Sequence, residues 1–440
     1  MDELSIEGKR PLQGEITPAG SKNAALPILA ASLLASEPIE LARLPRVGDV
    51  RRLLHILRRL GTSVQTYEGT VRLLPAARLA NRPPERTISR LRAGFLVLAP
   101  LLARTGRARI ALPGGCRIGE RPVDIHLRGL AQMGAEFHFE GDQLVGRCRR
   151  LRGTRLDAAG PRGPSVTGTA QLLLAAVLAR GTSLIENAAQ EPEVTELATF
   201  LVALGARIEG VGGSRMVVRG VDSLGGCAWR LPVDRIETLS YLLAGAATGG
   251  NVLVREAPAA ELAPLLESIT AAGAAVECSA AGVRVVGTER PRAVNYCAAP
   301  YPGIPTDGQP LWTAWMATAR GASAIEDPVF PDRWTHLAPL RRMGAKIAQQ
   351  AAACRVRGVP RLRGARLRAP DLRCGAALVL AALAAKGESR IRGLQHLDRG
   401  YEDMEEKLLS LGARIERRKA REHRCESPEM GEPILSSETV

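Results

Sequence analysis

Leu204-Gly205-Ala206 ends an amphipathic stretch and precedes a short strand-like run, and this arrangement decides the fold because it occurs six times. The other copies are Leu60-Gly61-Thr62, Met133-Gly134-Ala135, Ala272-Gly273-Ala274, Met343-Gly344-Ala345 and Leu411-Gly412-Ala413. Successive glycines lie 73, 71, 68, 71 and 68 residues apart. A glycine directly after an apolar periodic stretch indicates a helix that ends in a left-handed residue. The sequence therefore predicts six copies of one unit.

Each unit also contains a second, more apolar stretch, at residues 23–34, 93–102, 169–178, 238–247, 311–319 and 375–385. Ala/Leu-rich helices with little polar face are typically buried, and strand-like runs such as 109–112 follow them. A unit of about 70 residues is longer than the ~20–50 of most solenoid repeats. We therefore predict an α/β fold in which three units close into one domain, twice, with the ligand site in the cleft between the halves.

The charge of the chain favours small anionic ligands over nucleic acid. Lys+Arg number 60 and Asp+Glu 45 among 440 residues, and six of the basic residues are lysines, so the net charge of +15 comes from arginine. Four Trp, five Tyr and five Phe supply few rings for base stacking. An arginine excess also steers and holds small anions. We expect no nucleic-acid partner.

The remaining composition indicates a cytoplasmic enzyme without a metal. No run reaches the ~18 apolar residues of a membrane span, and the first residues lack the hydrophobic region of a signal peptide. Eight cysteines form no CxxC pair, and no HExxH occurs. We expect a reducing compartment and neither disulfides nor zinc. Residues 418–440 are charged or polar and are predicted to be a mobile tail.

Cationic and polar residues recur at the same phase of the repeat. Lys22, Arg92, Ser165, Asp307 and Arg373 come just before or at the start of the apolar helices, and Arg121, Arg333 and Arg399 precede amphipathic helices. Helix N-termini attract anions, and arginine forks suit phosphate and carboxylate oxygens. If these termini point into one cleft, they form an anion site.

Two further side chains suit proton transfer. Cys116 lies in the loop PGGCRIGERP at 113–122, where two arginines and a helix start would favour the thiolate. That setting fits a nucleophile or general acid, and an unreactive loop cysteine is the alternative. Asp307 fits either a helix N-cap or a general base that faces a hydroxyl.

The ordered set of motifs resembles the enolpyruvyl transferase family. The matching segments are GSKNAALP at 20–27, LPGGC at 112–116, RPVD at 121–124, IENAA at 185–189, DRIET at 234–238, PTD at 305–307, DLR at 371–373 and DRGYE at 398–402. They run in family order from residue 6 to about 416. The shikimate-phosphate branch of the family lacks a loop cysteine like Cys116, which favours the branch that uses a nucleotide sugar.

The resemblance implies two inside-out α/β barrels, the first at 22–231 and the second at 1–21 plus 232–417. It implies transfer of the enolpyruvyl group from phosphoenolpyruvate to the 3-hydroxyl of UDP-N-acetylglucosamine. Phosphate leaves after addition and elimination through a tetrahedral ketal, with no cofactor. This reaction is the first committed step of peptidoglycan precursor synthesis, and fosfomycin would alkylate Cys116. The oligomeric state is not predicted.

The resemblance also implies a role for each matching residue. Lys22, Arg121 and Arg399 would hold the phosphate of phosphoenolpyruvate, with Arg92, Arg333 and Arg373 completing the cationic site. Cys116 would be the acid at the methylene carbon or would form a thioether-linked adduct, and Asp307 would be the base at the hydroxyl. Residues implied at the acceptor are Asn23, Arg121, Pro122, Val123, Asp124, Ser165, Val166 and Val329.

Some positions depart from the family pattern and concern the acceptor. Gly163 stands where many members have a diphosphate-binding lysine, with Arg162 beside it, and Pro331 follows Val329-Phe330 where an acidic residue is common. An arginine fork does not bind like a lysine point charge. A paralogue that acts on another nucleotide or nucleotide sugar is the alternative function, and a basic, non-catalytic binding protein on the same scaffold is a third.

Overall fold

The computed structural model describes residues 2–114 and 123–418. Its helices are α1 Lys22–Ala31, α2 Gly48–Leu60, α3 Glu85–Ile88, α4 Leu98–Thr105, α5 Asp124–Gln132, α6 Val166–Ala176, α7 Pro192–Ala203, α8 Arg235–Thr248, α9 Ala263–Ala271, α10 Gln309–Met316, α11 Leu337–Arg342, α12 Leu372–Ala384, α13 Leu394–Leu397 and α14 Met404–Ser410. Short 3₁₀ turns occupy Ser32–Leu34, Arg92–Val97, Ala260–Leu262 and Thr306–Gly308.

The strands are short and surround these helices. They are β1 Glu3–Glu7, β2 Gln13–Ile16, β3 Ile39–Ala42, β4 Ser63–Tyr67, β5 Thr70–Leu74, β6 Arg107–Ala111, β7 Glu136–Glu140, β8 Gln143–Arg147, β9 Arg155–Asp157, β10 Ala159–Gly160, β11 Gly163–Pro164, β12 Thr182–Glu186, β13 Arg207–Glu209, β14 Met216–Arg219, β15 Cys227–Arg230, β16 Asn251–Arg255, β17 Ala275–Ser279, β18 Gly282–Val286, β19 Tyr296–Cys297, β20 Ala322–Glu326, β21 Lys346–Gln350, β22 Ala353–Arg357, β23 Arg366–Arg368, β24 Glu388–Arg392 and β25 Arg414–Arg418.

The six predicted units each form a small sheet of the same design. The strand orders are β15-β3-β5-β4, β6-β8-β7, β9-β12-β14-β13, β2-β16-β18-β17, β19-β20-β22-β21 and β23-β24-β1-β25. In the five four-stranded sheets the first pair is parallel and the other two pairs are antiparallel. Parallel neighbours need a crossover, and the apolar helices α6, α10 and α12 lie in the chain between the parallel strands β9 and β12, β19 and β20, and β23 and β24.

The apolar helices lie inside and the sheets lie outside. Every residue of α12 from Leu372 to Leu383 is buried, whereas β20 alternates between exposed and buried positions. In one half α8, α10 and α12 contact one another, and in the other half α6 contacts α4 and α1 contacts α7. The prediction of an inside-out α/β fold is confirmed.

All six capping glycines have the predicted left-handed backbone. The φ angles are 111° at Gly61, 97° at Gly134, 100° at Gly205, 102° at Gly273, 95° at Gly344 and 88° at Gly412. In α2 the N–H of the capping glycine donates to the carbonyls of Arg58 and Leu57, which satisfies groups that the end of a helix leaves unpaired. The local rule therefore identified the repeat correctly.

The chain passes twice between the two halves at one place. The N–H of Ser21 donates to the carbonyl of Pro232 at 2.7 Å, and the N–H of Asp234 donates to the carbonyl of Ala19 at 2.9 Å. Gly20 is required here because a Cβ would lie 1.9 Å from the carbonyl oxygen of Arg43. The crossing lets β1 and β2 complete sheets of the second half.

Two hydrophobic cores lie on either side of this crossing. One contains residues between 24 and 231, and the other contains residues 4–12 and 239–415. The domain boundaries themselves stay a prediction. Strand β25 includes Arg418, which the sequence had placed in the tail; the rest of that tail, 419–440, lies outside the described residues. No helix in the described part of the chain is long and apolar enough to span a membrane.

Candidate active site

A cavity of about 560 Å³ lies where the two halves meet. The helix starts of both halves line it, as the repeat phase predicts. Eleven predicted site residues line it: Lys22, Asn23, Arg92, Asp124, Ser165, Val166, Asp307, Val329, Arg333, Arg373 and Arg399. Converging helix N-termini favour anions because their free N–H groups and dipoles point the same way.

Some predicted residues are elsewhere. Val123 precedes α5 and packs against the first core, so its side chain serves the core and is not among the described lining residues. The register at the start of α5 directs Asp124, rather than Val123, toward the cavity. Cys116, Arg121 and Pro122 lie outside the described residues.

Asp307 is the carboxylate at the centre of the cationic cluster. Its Oδ2 accepts hydrogen bonds from Arg373 Nε at 3.1 Å and from Nη2 at 2.7 Å, and its Oδ1 lies 2.8 Å from Arg333 Nη2. It sits in the 3₁₀ turn that leads into α10, and no capping hydrogen bond from its side chain is seen there. The N-cap interpretation of Asp307 is therefore not what the structure shows.

The two arginines control the protonation of Asp307. Burial alone would raise the pKa of Asp307, but the positive charges of Arg373, Arg333 and Lys22 outweigh it and hold the pKa well below its usual range. Burial alone would lower the pKa of Arg373, but the negative charge of Asp307 outweighs burial and raises it. Both arginines are nearly inaccessible to solvent.

Lys22 and Arg399 share Asp49 across the cavity. Arg399 Nε lies 2.8 Å from Asp49 Oδ1, and Lys22 Nζ lies 3.9 Å from Asp49 Oδ2. Burial lowers the pKa of Lys22, nearby Arg373 lowers it further, and Asp49 partly opposes the shift. An anion between Lys22 and Arg399 would restore the favourable electrostatics that burial removes.

Capping side chains fix the cationic residues at their helix starts. Asp371 accepts from the N–H groups of Arg373 and Cys374 at 3.1 and 3.0 Å, and so begins α12. Asp234 begins α8 in the same way and also accepts from the N–H of Lys22 at 3.0 Å. The start of α1 is thus tied to the start of α8 in the other half.

Sequence reasoning missed an ion pair that lines the cavity. Arg235, the first residue of α8, donates to Glu193 of α7 with Nε–Oε1 at 3.0 Å and Nη2–Oε2 at 3.1 Å, and both side chains are 8% exposed. The phase of the repeat could have found Arg235, because it begins the fourth apolar helix. No local sequence pattern predicts that Glu193 pairs with Arg235 or that Asp49 pairs with Lys22 and Arg399.

The hairpin of β10 and β11 lines another part of the cavity. It carries Arg162 at its turn and Gly163 at φ 89°, opposite the loop that contains Pro300 and Tyr301. Ser165 follows and caps α6 by accepting from the N–H of Gly168 at 3.1 Å. The site at which the sequence departs from the family pattern therefore faces the cavity.

The described residues hold no group of three or more His, Cys, Asp or Glu side chains that could bind a metal ion. The chemistry available within this cavity is anion binding by Lys and Arg, and proton transfer at Asp307. A substrate with both a phosphate and a carboxylate matches so many converging cations.

Comparisons with known proteins show the family to which the chain belongs. The family model for EPSP synthase (3-phosphoshikimate 1-carboxyvinyltransferase) matches residues 6–408. The chain is 46% identical to UDP-N-acetylglucosamine 1-carboxyvinyltransferase of Desulfovibrio desulfuricans, over 95% of this chain and 100% of that protein. It is 42% identical to the enzyme of that name from Methylacidiphilum infernorum, over 95% of this chain and 99% of that protein.

Solved structures share the whole fold. The enolpyruvyl transferase NikO from Streptomyces tendae superposes with a TM-score of 0.85 at 26% identity, covering 95% of this chain and 99% of that one. EPSP synthase from Acinetobacter baumannii gives a TM-score of 0.72 at 19% identity, over 95% and 100% of the two chains, and shows the fold alone.

Fold and site together define an enolpyruvyl transferase. Within that class, the chain belongs to the UDP-N-acetylglucosamine 1-carboxyvinyltransferase family.

Proposed function

We propose that this chain transfers the enolpyruvyl group of phosphoenolpyruvate to the 3-hydroxyl of UDP-N-acetylglucosamine and releases phosphate. The observation that carries the proposal is 46% identity over 95% of the chain to a relative of that name, in a chain whose cavity holds the cations that a doubly anionic substrate needs. This is the first committed step of peptidoglycan precursor synthesis, and we place it in the cytoplasm.

The reaction begins with addition. The acceptor hydroxyl oxygen bonds to C2 of phosphoenolpyruvate, its proton passes to Asp307, and the methylene carbon takes a proton from Cys116. The product is a tetrahedral ketal that still carries phosphate. The C2–O bond to phosphate then breaks, the methyl carbon returns a proton, and the enol ether forms.

Asp307 becomes a base only after its arginines are redirected. A carboxylate held by Arg333 and Arg373 has a pKa too low to accept a proton from a hydroxyl. The incoming carboxylate of phosphoenolpyruvate competes for these two arginines and so weakens their hold on Asp307. The anionic substrate itself thereby prepares the base.

The remaining roles divide between the two substrates. Lys22, Arg121 and Arg399 bind the phosphate of phosphoenolpyruvate, and Arg92, Arg333 and Arg373 surround its carboxylate and the intermediate. Asn23 contacts the sugar, and Val329 lies nearby. The uridine diphosphate pocket is formed by Arg121, Pro122, Asp124, Ser165 and Val166, with Val123 in the core behind it, and Arg162 takes the place of a diphosphate-binding lysine.

Phosphate release tests the function directly. The purified protein is given phosphoenolpyruvate with UDP-N-acetylglucosamine, UMP, UDP-glucose or shikimate 3-phosphate. We expect release with UDP-N-acetylglucosamine alone. Release with another acceptor only would move the protein to the paralogue function, and release with none from folded protein would contradict the reaction.

Fosfomycin labelling tests the role of Cys116. We expect peptide mass spectrometry to find the label on Cys116 and not on Cys278 or Cys297, which are exposed in the structure and serve as internal controls. Cys116→Ser should lose turnover, whereas Cys278→Ser should keep it. Label at an exposed strand cysteine instead of Cys116 would count against the assignment.

A further inference from the structure

Asp327 is a buried carboxylate to which the proposed reaction gives no role. It follows β20 and is 0% exposed. Its Oδ1 accepts from the N–H of Phe330 at 2.8 Å, and its Oδ2 accepts from the hydroxyl of Thr306 at 2.6 Å. Burial raises the pKa of Asp327 and these hydrogen bonds oppose that rise. A buried carboxylate is costly unless its hydrogen bonds serve the structure or the site.

The hydroxyl of Thr306 joins Asp327 to the catalytic cluster. A hydroxyl has one proton to donate, and Thr306 gives its proton to Asp327. Its lone pairs then face Arg333, whose Nη1 donates to Thr306 Oγ1 at 2.9 Å. The same guanidinium places Nη2 at 2.8 Å from Asp307 Oδ1. A continuous chain therefore runs from Asp327 through Thr306 and Arg333 to Asp307.

We propose that Thr306 is a positioning residue whose hydroxyl, oriented by Asp327, fixes Arg333 against Asp307. The inference rests on the proposed function, because it concerns the base of that reaction. Asp327 acts only through Thr306. Because Asp327 accepts the hydroxyl proton of Thr306, a lone pair of that hydroxyl oxygen stays available to accept from Arg333. Arg333 is buried, so a guanidinium that loses this acceptor must rearrange rather than turn to water.

The consequence is a pH dependence with a defined sign. The charged and titratable groups that act on Asp307 are Lys22, Arg235, Tyr296, Asp327, Arg333 and Arg373. Arg333 is the one that Thr306 holds, and its positive charge lowers the pKa of Asp307. A loosened Arg333 raises that pKa, so the acidic limb of kcat/KM against pH moves to higher pH.

Thr306→Val and Thr306→Ser form the matched pair that tests this role. Valine keeps the shape and loses the hydroxyl, and serine keeps the hydroxyl. We expect Thr306→Val to lower kcat/KM for phosphoenolpyruvate about tenfold, the size of one hydrogen bond to a charged group, and to shift the acidic limb upward. Thr306→Ser should keep the wild-type limb. Thr199→Val, at an exposed helix hydroxyl that donates to Thr195, is the control for the substitution itself.

Asp327→Asn tests the second link without a change of shape. The asparagine oxygen must face the N–H of Phe330, so its NH₂ group faces Thr306 and the hydroxyl no longer donates in that direction. If Asp327 acts through Thr306, the Thr306→Val/Asp327→Asn double variant is no slower than Thr306→Val alone. Additive losses would overturn the coupling.

The outcomes separate this inference from the proposed function. Wild-type protein that releases no phosphate contradicts the function, and the inference fails with it. Active wild type with an unmoved acidic limb in Thr306→Val overturns the positioning role alone. Thermal unfolding of each variant identifies misfolding. If Thr306→Val does not fold, the test compares the acidic limb of kcat/KM in Asp327→Asn with that in Thr306→Ser. A limb that moves upward in neither variant would overturn the positioning role.

Discussion

The two walls of the cavity carry their charge in different ways. The first wall, from the core of residues 24–231, contributes Lys22, whose nearest acid is Asp49 at 3.9 Å. The second wall holds Asp307 against Arg333 at 2.8 Å and Arg373 at 2.7 Å. The first wall therefore gains stabilisation when an anion arrives, whereas the second wall must exchange partners. Because Arg399 of the second wall also pairs with Asp49 of the first, we expect the substrate phosphate to bind between the walls and base activation to occur on the second wall alone.

Removing the carboxylate of the second wall should have the largest effect. Asp307→Asn keeps the shape but removes the proton acceptor, so we expect kcat to fall by roughly 10²–10⁴-fold, the range for general-base catalysis. Because Arg333 and Arg373 lose their counter-charge, KM for phosphoenolpyruvate should fall as well. Steady-state kinetics measures both, with exposed Asp332→Asn as the control. A raised KM with unchanged kcat would place Asp307 in binding instead.

Breaking the ion pair between the walls should have the next largest effect, on stability. Glu193→Gln leaves Arg235 buried without its counter-ion, and breaking one partner of a buried pair costs about 3–5 kcal/mol. Urea unfolding measures the loss. Asp222→Asn removes the partner of Arg150 in a pair at the surface and should change nothing measurable. Equal losses in the two variants would mean that the walls are not joined at Glu193.

The fold could be predicted largely because its signals are local. The left-handed glycines and the apolar stretches follow from rules that act within one helix turn, so all six caps occur where expected. The helix-start cations followed from the same periodicity, because equivalent positions of a repeat face the same way. Arg235, at the start of the fourth apolar helix, obeys that rule too.

The partners of these cations could not be predicted, because they are distant in sequence. Arg399 binds Asp49, which lies 350 positions earlier, and Arg235 binds Glu193 from another helix of the other half. Val123 shows the second limit: a motif names consecutive residues, but the helix register decides which of them faces the cavity. Only packing fixes that register.

A change of cation in the first wall should have a smaller effect that depends on pH. Burial lowers the pKa of Lys22, so the lysine loses its charge at a lower pH than an ordinary lysine does. Wild-type kcat/KM for phosphoenolpyruvate should therefore fall on the alkaline side. Lys22→Arg stays charged and should move that limb upward, with a loss at the optimum of about tenfold because the fork replaces a point charge.

Lys386→Arg is the matched control for this change. Lys386 lies after α12, away from the cavity lining, and its substitution should leave the pH profile as it is. An alkaline limb that stays in place in Lys22→Arg would mean that another group titrates there, and the contrast between the walls would then rest on Asp307 alone.

The repeat itself predicts the smallest effect, equal in the two halves. A Cβ at Gly134 or at Gly412 would meet no atom within 4 Å, so alanine there is strained only by φ angles of 97° and 88°. Each substitution should cost about 1–2 kcal/mol, the penalty for a left-handed residue with a Cβ. Gly375→Ala, inside α12 and at ordinary contact distance from Leu397, should not destabilise, because alanine favours a helix more than glycine does. Urea unfolding compares the three variants. The losses in free energy of unfolding at Gly134 and Gly412 should agree within error. A larger difference would mean that the same capping motif is strained differently in the two halves.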